Sequence, residues 1–155
     1  MKSSKNTVIE LVHQPMDTAL LLERARRADC GAILLFLGTT REWTGTQHTL
    51  FLEYDAYHAM AIGELQRLAD TAMDRWEIRQ VTIVHRLGRV EVAEASIAIV
   101  VSSPHRQAAF EAGEWLIDMV KQQIPIWKRD HDANGTSDWL HPIAKMDTLN
   151  KPRLP

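Results

Sequence analysis

The residues best suited to chemistry cluster in KQQIPIWKRD, residues 121–130, where Lys121 and Lys128 flank Pro125 and Arg129 and Asp130 follow. In an unbroken helix the two lysines would lie about two turns apart on one face. Pro125 cannot continue a helix and pushes Ile124 towards an extended conformation. Lys128 is therefore expected on a separate extended segment, so that two ammonium groups approach one point from different directions, with Trp127 packing its ring to anchor the turn. Taken alone, both lysines read as ordinary surface residues. Brought together, they could stabilise negative charge that develops on a substrate, which is the first choice. Alternatively, one of them could attack as an amine, which would require a depressed pKa.

Further cations stand at element ends. Arg41 follows the apolar run GAILLFLG, residues 31–38, after Thr39 and Thr40, in a loop after a strand, where functional groups are commonly presented. His105 and Arg106 open a helix, where positive charge is unfavourable because the helix N-terminus is already partially positive. Such a placement invites an anion onto exposed N–H groups and the arginine together; pairing with nearby carboxylates or pointing to water is the equally simple reading. His85-Arg86 lies inside an apparent strand and reads as structural, at a sheet edge or an interface. Glu53 and Asp55 share a strand face, and Asp130-His131-Asp132 reads as a solvated tail rather than a metal site. The chain carries no HExxH, GxxxxGK[ST] or GxSxG motif.

Composition narrows the classes. The 155 residues suit one domain with a real core. Lys plus Arg number 18 against 20 Asp plus Glu, a net charge of -2 that argues against a general nucleic-acid binder. Cys30 is the only cysteine, so neither an internal disulfide nor a cysteine zinc cluster can form, and at the head of an apolar run it reads as a small buried hydrophobe. No apolar run approaches the ~20 residues of a membrane span, and the start lacks a signal-peptide core, so the expected location is the cytoplasm.

The elements that must position these groups follow from periodicity. NTVIELVH alternates as a strand; Pro15 and Asp17 open a helix through about Ala28, with Leu20, Leu21 and Ala25 inward. GAILLFLG reads as a central strand, TTREWTGTQH as a loop, and TLFLEYDAY as a strand with Leu50, Leu52 and Tyr54 on one face. His58 to about Trp76 has helical spacing, with Ile62, Leu65, Leu68, Ala72, Met73 and Trp76 inward. VTIVHRLGRV and ASIAIVVSS read as one strand each. Ser103 is the expected N-cap and Pro104 the first residue of a third helix, whose buried stripe is Ala109, Phe110, Gly113, Leu116, Ile117 and Val120. An irregular tail follows. This mixture points to an α+β domain over residues 1–140, with residues 141–155 as an irregular C-terminal tail.

GAILLFLGTTR, LEYDAY, VTIVHRLGRV, SSPHRQAAFEAG and KQQIPIWKRD, in this order and spacing, resemble the catalytic, large subunit of molybdopterin synthase from about residue 5 to Trp139. The resemblance implies an α/β-hammerhead-like domain with an added antiparallel sheet, and a homodimer within a heterotetramer. Its partner is a small ubiquitin-like sulfur carrier whose C-terminal Gly-Gly thiocarboxylate tail enters the catalytic subunit. Sulfur passes to cyclic pyranopterin monophosphate and makes the dithiolene of molybdopterin, without a cofactor or metal. Carried over by motif, Lys121 and Lys128 match the family's pocket lysines, Arg41 its arginine after the strand, and His105 and Arg106 its substrate-holding pair. Thr39, Thr40, Arg129 and Asp130 flank these as further binding candidates. Three departures are visible: Thr40 stands where the family usually has an apolar residue, Ala93-Glu94 replaces a common Gly-Glu turn, and Asp130 replaces a common glutamate.

One geometric consequence concerns the third helix. His105 and Lys121 are 16 residues apart, roughly 24 Å along a helix, too far for both to touch one small pterin. The expected site is therefore shared: His105 and Arg106 of one chain facing Arg41, Lys121 and Lys128 of another. Two rivals keep the cations without the chemistry. A module that binds an anionic metabolite would not need Lys121, and a docking surface for an acidic partner would bind no small molecule and be strongly salt-sensitive.

Overall fold

The long apolar runs become the interior of a four-stranded sheet in the computed structural model, which describes residues 6–140. The elements are β1 (Thr7–Val12), α1 (Thr18–Arg24), β2 (Ala32–Thr39), β3 (Trp43–Thr44), β4 (Gln47–Ala56), α2 (His58–Arg75), β5 (Gln80–Arg86), β6 (Gly88–Glu91), β7 (Ala95–Ser103), α3 (Arg106–Gln123), β8 (Ile126–Asp132) and β9 (Gly135–Thr136). The first sheet has the order β1-β5-β7-β2, parallel only between β1 and β5. The second is antiparallel, β3-β4-β8-β9, with β6 also paired to β4. This is an α+β architecture of the hammerhead kind with an added antiparallel sheet.

The core lies between the first sheet and the two long helices. Val81, Ile83, Ile97, Ile99 and Val101 meet Leu65, Leu68, Ala72, Ala112, Leu116 and Val120. Small residues on α3 bring it close to the sheet: a Cβ on Gly113 would stand 2.5 Å from Leu34 Cδ2 of β2. Pro125 ends α3 as expected, and Ile124 caps it in an extended conformation (φ −86°, ψ 133°).

Several expectations are corrected. α1 stops at Arg24 rather than near Ala28, and Leu20 faces outward, because so short a helix lies over the sheet end with only Ala25 beyond it deeply buried. Ile62 and Phe110, placed in buried stripes by periodicity, are exposed, Phe110 by 60%. The N-cap of α3 is His105, not Ser103; Ser103 ends β7 and donates its hydroxyl to the His105 carbonyl instead. The loop at 39–48 contains the β3–β4 hairpin, turning at Gly45 with positive φ. A bulge between Thr49 and Phe51 turns Leu50 out to solvent. VTIVHRLGRV is two strands in different sheets, divided at Leu87 and Gly88, whose φ is +81°. The segment after α3 pairs as β8 and β9 rather than running irregularly. The expected tail at 141–155 lies outside the described residues. Among the described residues no helix is long and apolar enough to cross a membrane.

Candidate active site

A cavity of about 770 Å³ opens where the two sheets meet the C-terminal half of α3. Strand alternation decides which side chains reach it. On β8 the period of two sends Ile126, Lys128 and Asp130 to the cavity and Trp127, Arg129 and His131 to the opposite face. On β4 the facing residues are Thr49, Leu52 and Tyr54, and Tyr54 is the cross-strand neighbour of Lys128. α3 brings Ile117, Val120 and Lys121, and the end of β2 with its loop brings Thr39, Thr40 and Arg41. Pro125 thus does what the spacing implies: Lys121 arrives on a helix and Lys128 on a strand, and both border one space.

The polar groups around the lysines are held firmly. Asp130 is buried and accepts from the Thr49 hydroxyl at 3.1 and 3.2 Å, while its own amide donates to Ser137 Oγ. Burial pushes the Tyr54 phenol up; its hydrogen bond with Ser96 opposes this and the Asp130 charge adds to it. His85 packs edge-on against Tyr54, ring centroids 5.1 Å apart, and burial holds its pKa down at about 4, partly offset by its bond to the Arg86 carbonyl. Arg86 pairs with Glu94 at 2.6 Å, and that bond draws the Glu94 carboxyl down. His85 and Arg86 were expected at a sheet edge or interface. They lie instead near the end of β5, an interior strand flanked by β1 and β7.

Of the candidate residues, the cavity gathers Thr39, Thr40, Arg41, Lys121, Lys128 and Asp130. It does not gather Arg129, whose guanidinium lies over the Trp139 ring at 4.3 Å on the far face of β8. Nor does it gather His105 and Arg106, which are exposed at the other end of α3. Tyr54, Ser96 and His85 line the cavity without having been singled out for chemistry. Alternation within LEYDAY and VTIVHR was the signal for Tyr54 and His85, but it could not say which face held the site. No group of three or more metal-binding side chains occurs among the described residues. Cys30 is half-buried rather than buried and is not among the cavity-lining residues; burial and the neighbouring Asp29 push its thiol up.

Comparison with known proteins agrees with this architecture. The profile of the MoaE protein family matches residues 11–123. The molybdopterin synthase catalytic subunit of Bacillus subtilis (strain 168) is 40% identical over 131 residues, covering 84% of this chain and 83% of that one. That of Thermoplasma volcanium is 40% identical over 134 residues, covering 86% and 98%. Molybdopterin synthase from Staphylococcus aureus, a crystal structure, matches with a TM-score of 0.79 and 36% identity over 84% of this chain and 95% of that chain. A complex of subunits 1 and 2 of molybdopterin-converting factor from Helicobacter pylori 26695 contains a chain that matches with a TM-score of 0.69 and 26% identity, over 83% and 87%. By sequence and by fold, this chain belongs to the MoaE family of molybdopterin synthase catalytic subunits.

Proposed function

We propose that the chain is the catalytic subunit of a cytoplasmic molybdopterin synthase, a sulfurtransferase acting on cyclic pyranopterin monophosphate. The sulfur donor is the thiocarboxylated Gly-Gly tail of a small ubiquitin-like subunit. Each transfer forms a C–S bond at a side-chain carbon of the pterin as a C–O bond of that carbon breaks and the displaced oxygen leaves protonated; water then cleaves the C–S bond to the tail and returns the tail as a carboxylate. The observation that carries the proposal is the convergence of Arg41, Lys121 and Lys128 on one cavity from three separate elements. Both the pterin phosphate and the tail are anionic, so a preorganised cationic wall holds them together and stabilises the charge on the transferring sulfur and the leaving oxygen. Asp130 and Thr49 keep β8, and hence Lys128, at a fixed depth.

The site is completed by a second copy of the chain. His105 and Arg106 lie roughly 24 Å from Lys121 along α3, at 1.5 Å per residue. Arg106, Phe110, Gly113, Ile117 and Lys121 form one stripe of that helix, with a cation at each end and Gly113 near the middle, seated on β2. β2 is an edge strand with no strand on its outer side among the described residues, and Ile33 on β2 and Phe110 on α3 are both exposed. A twofold axis near Gly113 would set strand against strand and helix against helix, both antiparallel. His105 and Arg106 of the partner would then stand beside Arg41, Lys121 and Lys128.

The test is dithiolene formation from cyclic pyranopterin monophosphate and a thiocarboxylated small subunit. Lys121→Ala is expected to lose activity by at least about 10²-fold without unfolding. A chain carrying both His105→Ala and Arg106→Ala is expected to be similarly poor. Mixing the two defective chains should restore about a quarter of wild-type activity, because half of randomly formed dimers carry one intact site of two. No recovery from folded, exchanging dimers would sink the shared site. An inactive wild type in a folded complex with its partner would favour the non-catalytic binding module.

A further inference from the structure

The cations are only part of the cavity lining; Thr40, Tyr54, His85 and Ser96 are polar and carry no charge there, and two of these groups lack partners. His85 lines the cavity yet is only 5% exposed. Its Nδ1 lies 2.8 Å from the carbonyl oxygen of Arg86. A carbonyl can only accept, so Nδ1 carries the proton and donates, and Nε2 is left with a lone pair. Nε2 makes no hydrogen bond to another described residue. The ring cannot turn to exchange its nitrogens without losing that bond and its edge contact with Tyr54. Thr40, 4% exposed on the same cavity, has a buried hydroxyl with no partner. Its backbone is pinned on both sides, its amide donating to Glu94 O at 3.0 Å and its carbonyl accepting from Ala93 N at 2.8 Å. Buried polar groups are nearly always paired, and an unpaired one at a cavity wall marks a place for something that binds there.

Charge restricts what that something is. A phosphate diester or a carboxylate carries acceptors only and gives Nε2 nothing. Protonating His85 to make it a second donor is opposed by burial, which holds its pKa down at about 4. Asp130 is the one carboxylate among the cavity-lining residues, and it is engaged by Thr49. A bare imidazole nitrogen, on a cavity that also carries an unpartnered hydroxyl, is instead suited to a ring N–H or amino group. We infer that His85, with Thr40, is a specificity-determining acceptor that takes a hydrogen bond from an N–H or amino edge of the heterocyclic substrate, while the cations hold its phosphate. The inference rests on the proposed pterin substrate and names the groups of the cavity that read its ring.

Calorimetry on the complex with the unmodified small subunit separates these groups from the cations. Two probes are titrated, cyclic pyranopterin monophosphate and inorganic phosphate. His85→Phe keeps a ring and removes the acceptor. It should weaken the pterin about 10-fold, equivalent to about 1.4 kcal/mol, and leave phosphate unchanged. Thr40→Val should weaken the pterin by a smaller factor in the same direction, and His85→Gln, which restores an acceptor, should recover most of the loss. Pterin affinity that is unchanged in His85→Phe overturns the inference. So does a parallel loss of pterin and phosphate, which would report a collapsed cavity. Wild type that binds the pterin, weakened by His85→Phe, but never turns it over with a thiocarboxylated partner would uphold this inference while refuting the proposed reaction. Wild type that binds phosphate and no pterin refutes both.

Discussion

The two sheets use the same strand alternation for different ends. In the first, every residue of β5 and all but the first of β7 are buried, and one face is packed by α2 and α3. β5 and β7 are buried on both faces, whereas the edge strands β1 and β2 leave Val8 and Ile33 exposed. In the second, each strand divides sharply. Lys128 and Asp130 face the cavity, while Arg129 and His131 join an outer face on which Arg89 lies over Phe51 and Phe51 stacks on His131 at 4.2 Å. Glu53, across from Arg129, holds His131 on that face. The first sheet supplies stability and leaves little to titrate; the second supplies charge at a fixed depth. The candidate site lies along the seam, where β5 ends in His85 and Arg86 and the chain crosses into β6.

The sharpest way to break this division is to damage the first sheet and ask whether the site notices. Leu116 is fully buried between α3 and the first sheet. Leu116→Ala should cost roughly 3 kcal/mol in urea denaturation, from lost transfer energy and the cavity left behind. Turnover per folded molecule should be unchanged. A proportionate fall in turnover with the fold intact would mean that the core transmits its packing to Lys121 five residues on, and that the two regions are not separable.

How much of this was legible in the residues follows the same line. The long helices α2 and α3 were readable because a 3.6 period over 18 residues is hard to imitate, and Pro125 fixed where the second must end. The proline between Lys121 and Lys128 implied that they approach from different elements, and a strand end presented Arg41; that all three share one pocket was what the family resemblance implied. Periodicity failed where tertiary contacts decide. Phe110 has the spacing of a core residue, but β2 is an edge strand and nothing among the described residues covers that side. Leu50 was displaced by a bulge, which leaves no mark in composition. His85 looked structural because a histidine in an apolar strand usually is; only the arrival of β4 and β8, from distant parts of the chain, turns its wall into a cavity.

His85 also lets the seam be tested by pH. Its folded pKa of about 4 lies below the ordinary 6.5, so the unfolded chain takes up a proton that the folded one refuses. Stability from this group is therefore full above pH 6.5 and is lost as pH falls towards 4. Between pH 7.5 and 5 the loss should be about 2 kcal/mol, read as the difference between wild type and His85→Gln in urea denaturation. Identical slopes for the two proteins would show that the seam is wetter than its burial implies, and would weaken the contrast between the sheets.

The smallest effect is expected at the crossing itself, and it separates backbone from packing. Gly88 has a φ of +81°, and a Cβ there would meet only His13 Nδ1 at 3.8 Å, so space is not the constraint. Gly88→Ala should cost about 1 kcal/mol, the penalty of holding an L side chain in the left-handed region. Gly88→Asn should cost less, since asparagine tolerates that region. Because Gly88 pairs with Tyr54, and Tyr54 with Lys128, a strained crossing that relaxes would shift the cavity wall as well. Alanine and asparagine variants that lose stability in that order but keep turnover would show that β4 and β8 hold Lys128 without help from the crossing. If turnover falls in the same order, the turn that switches sheets is itself part of what sets the depth of Lys128.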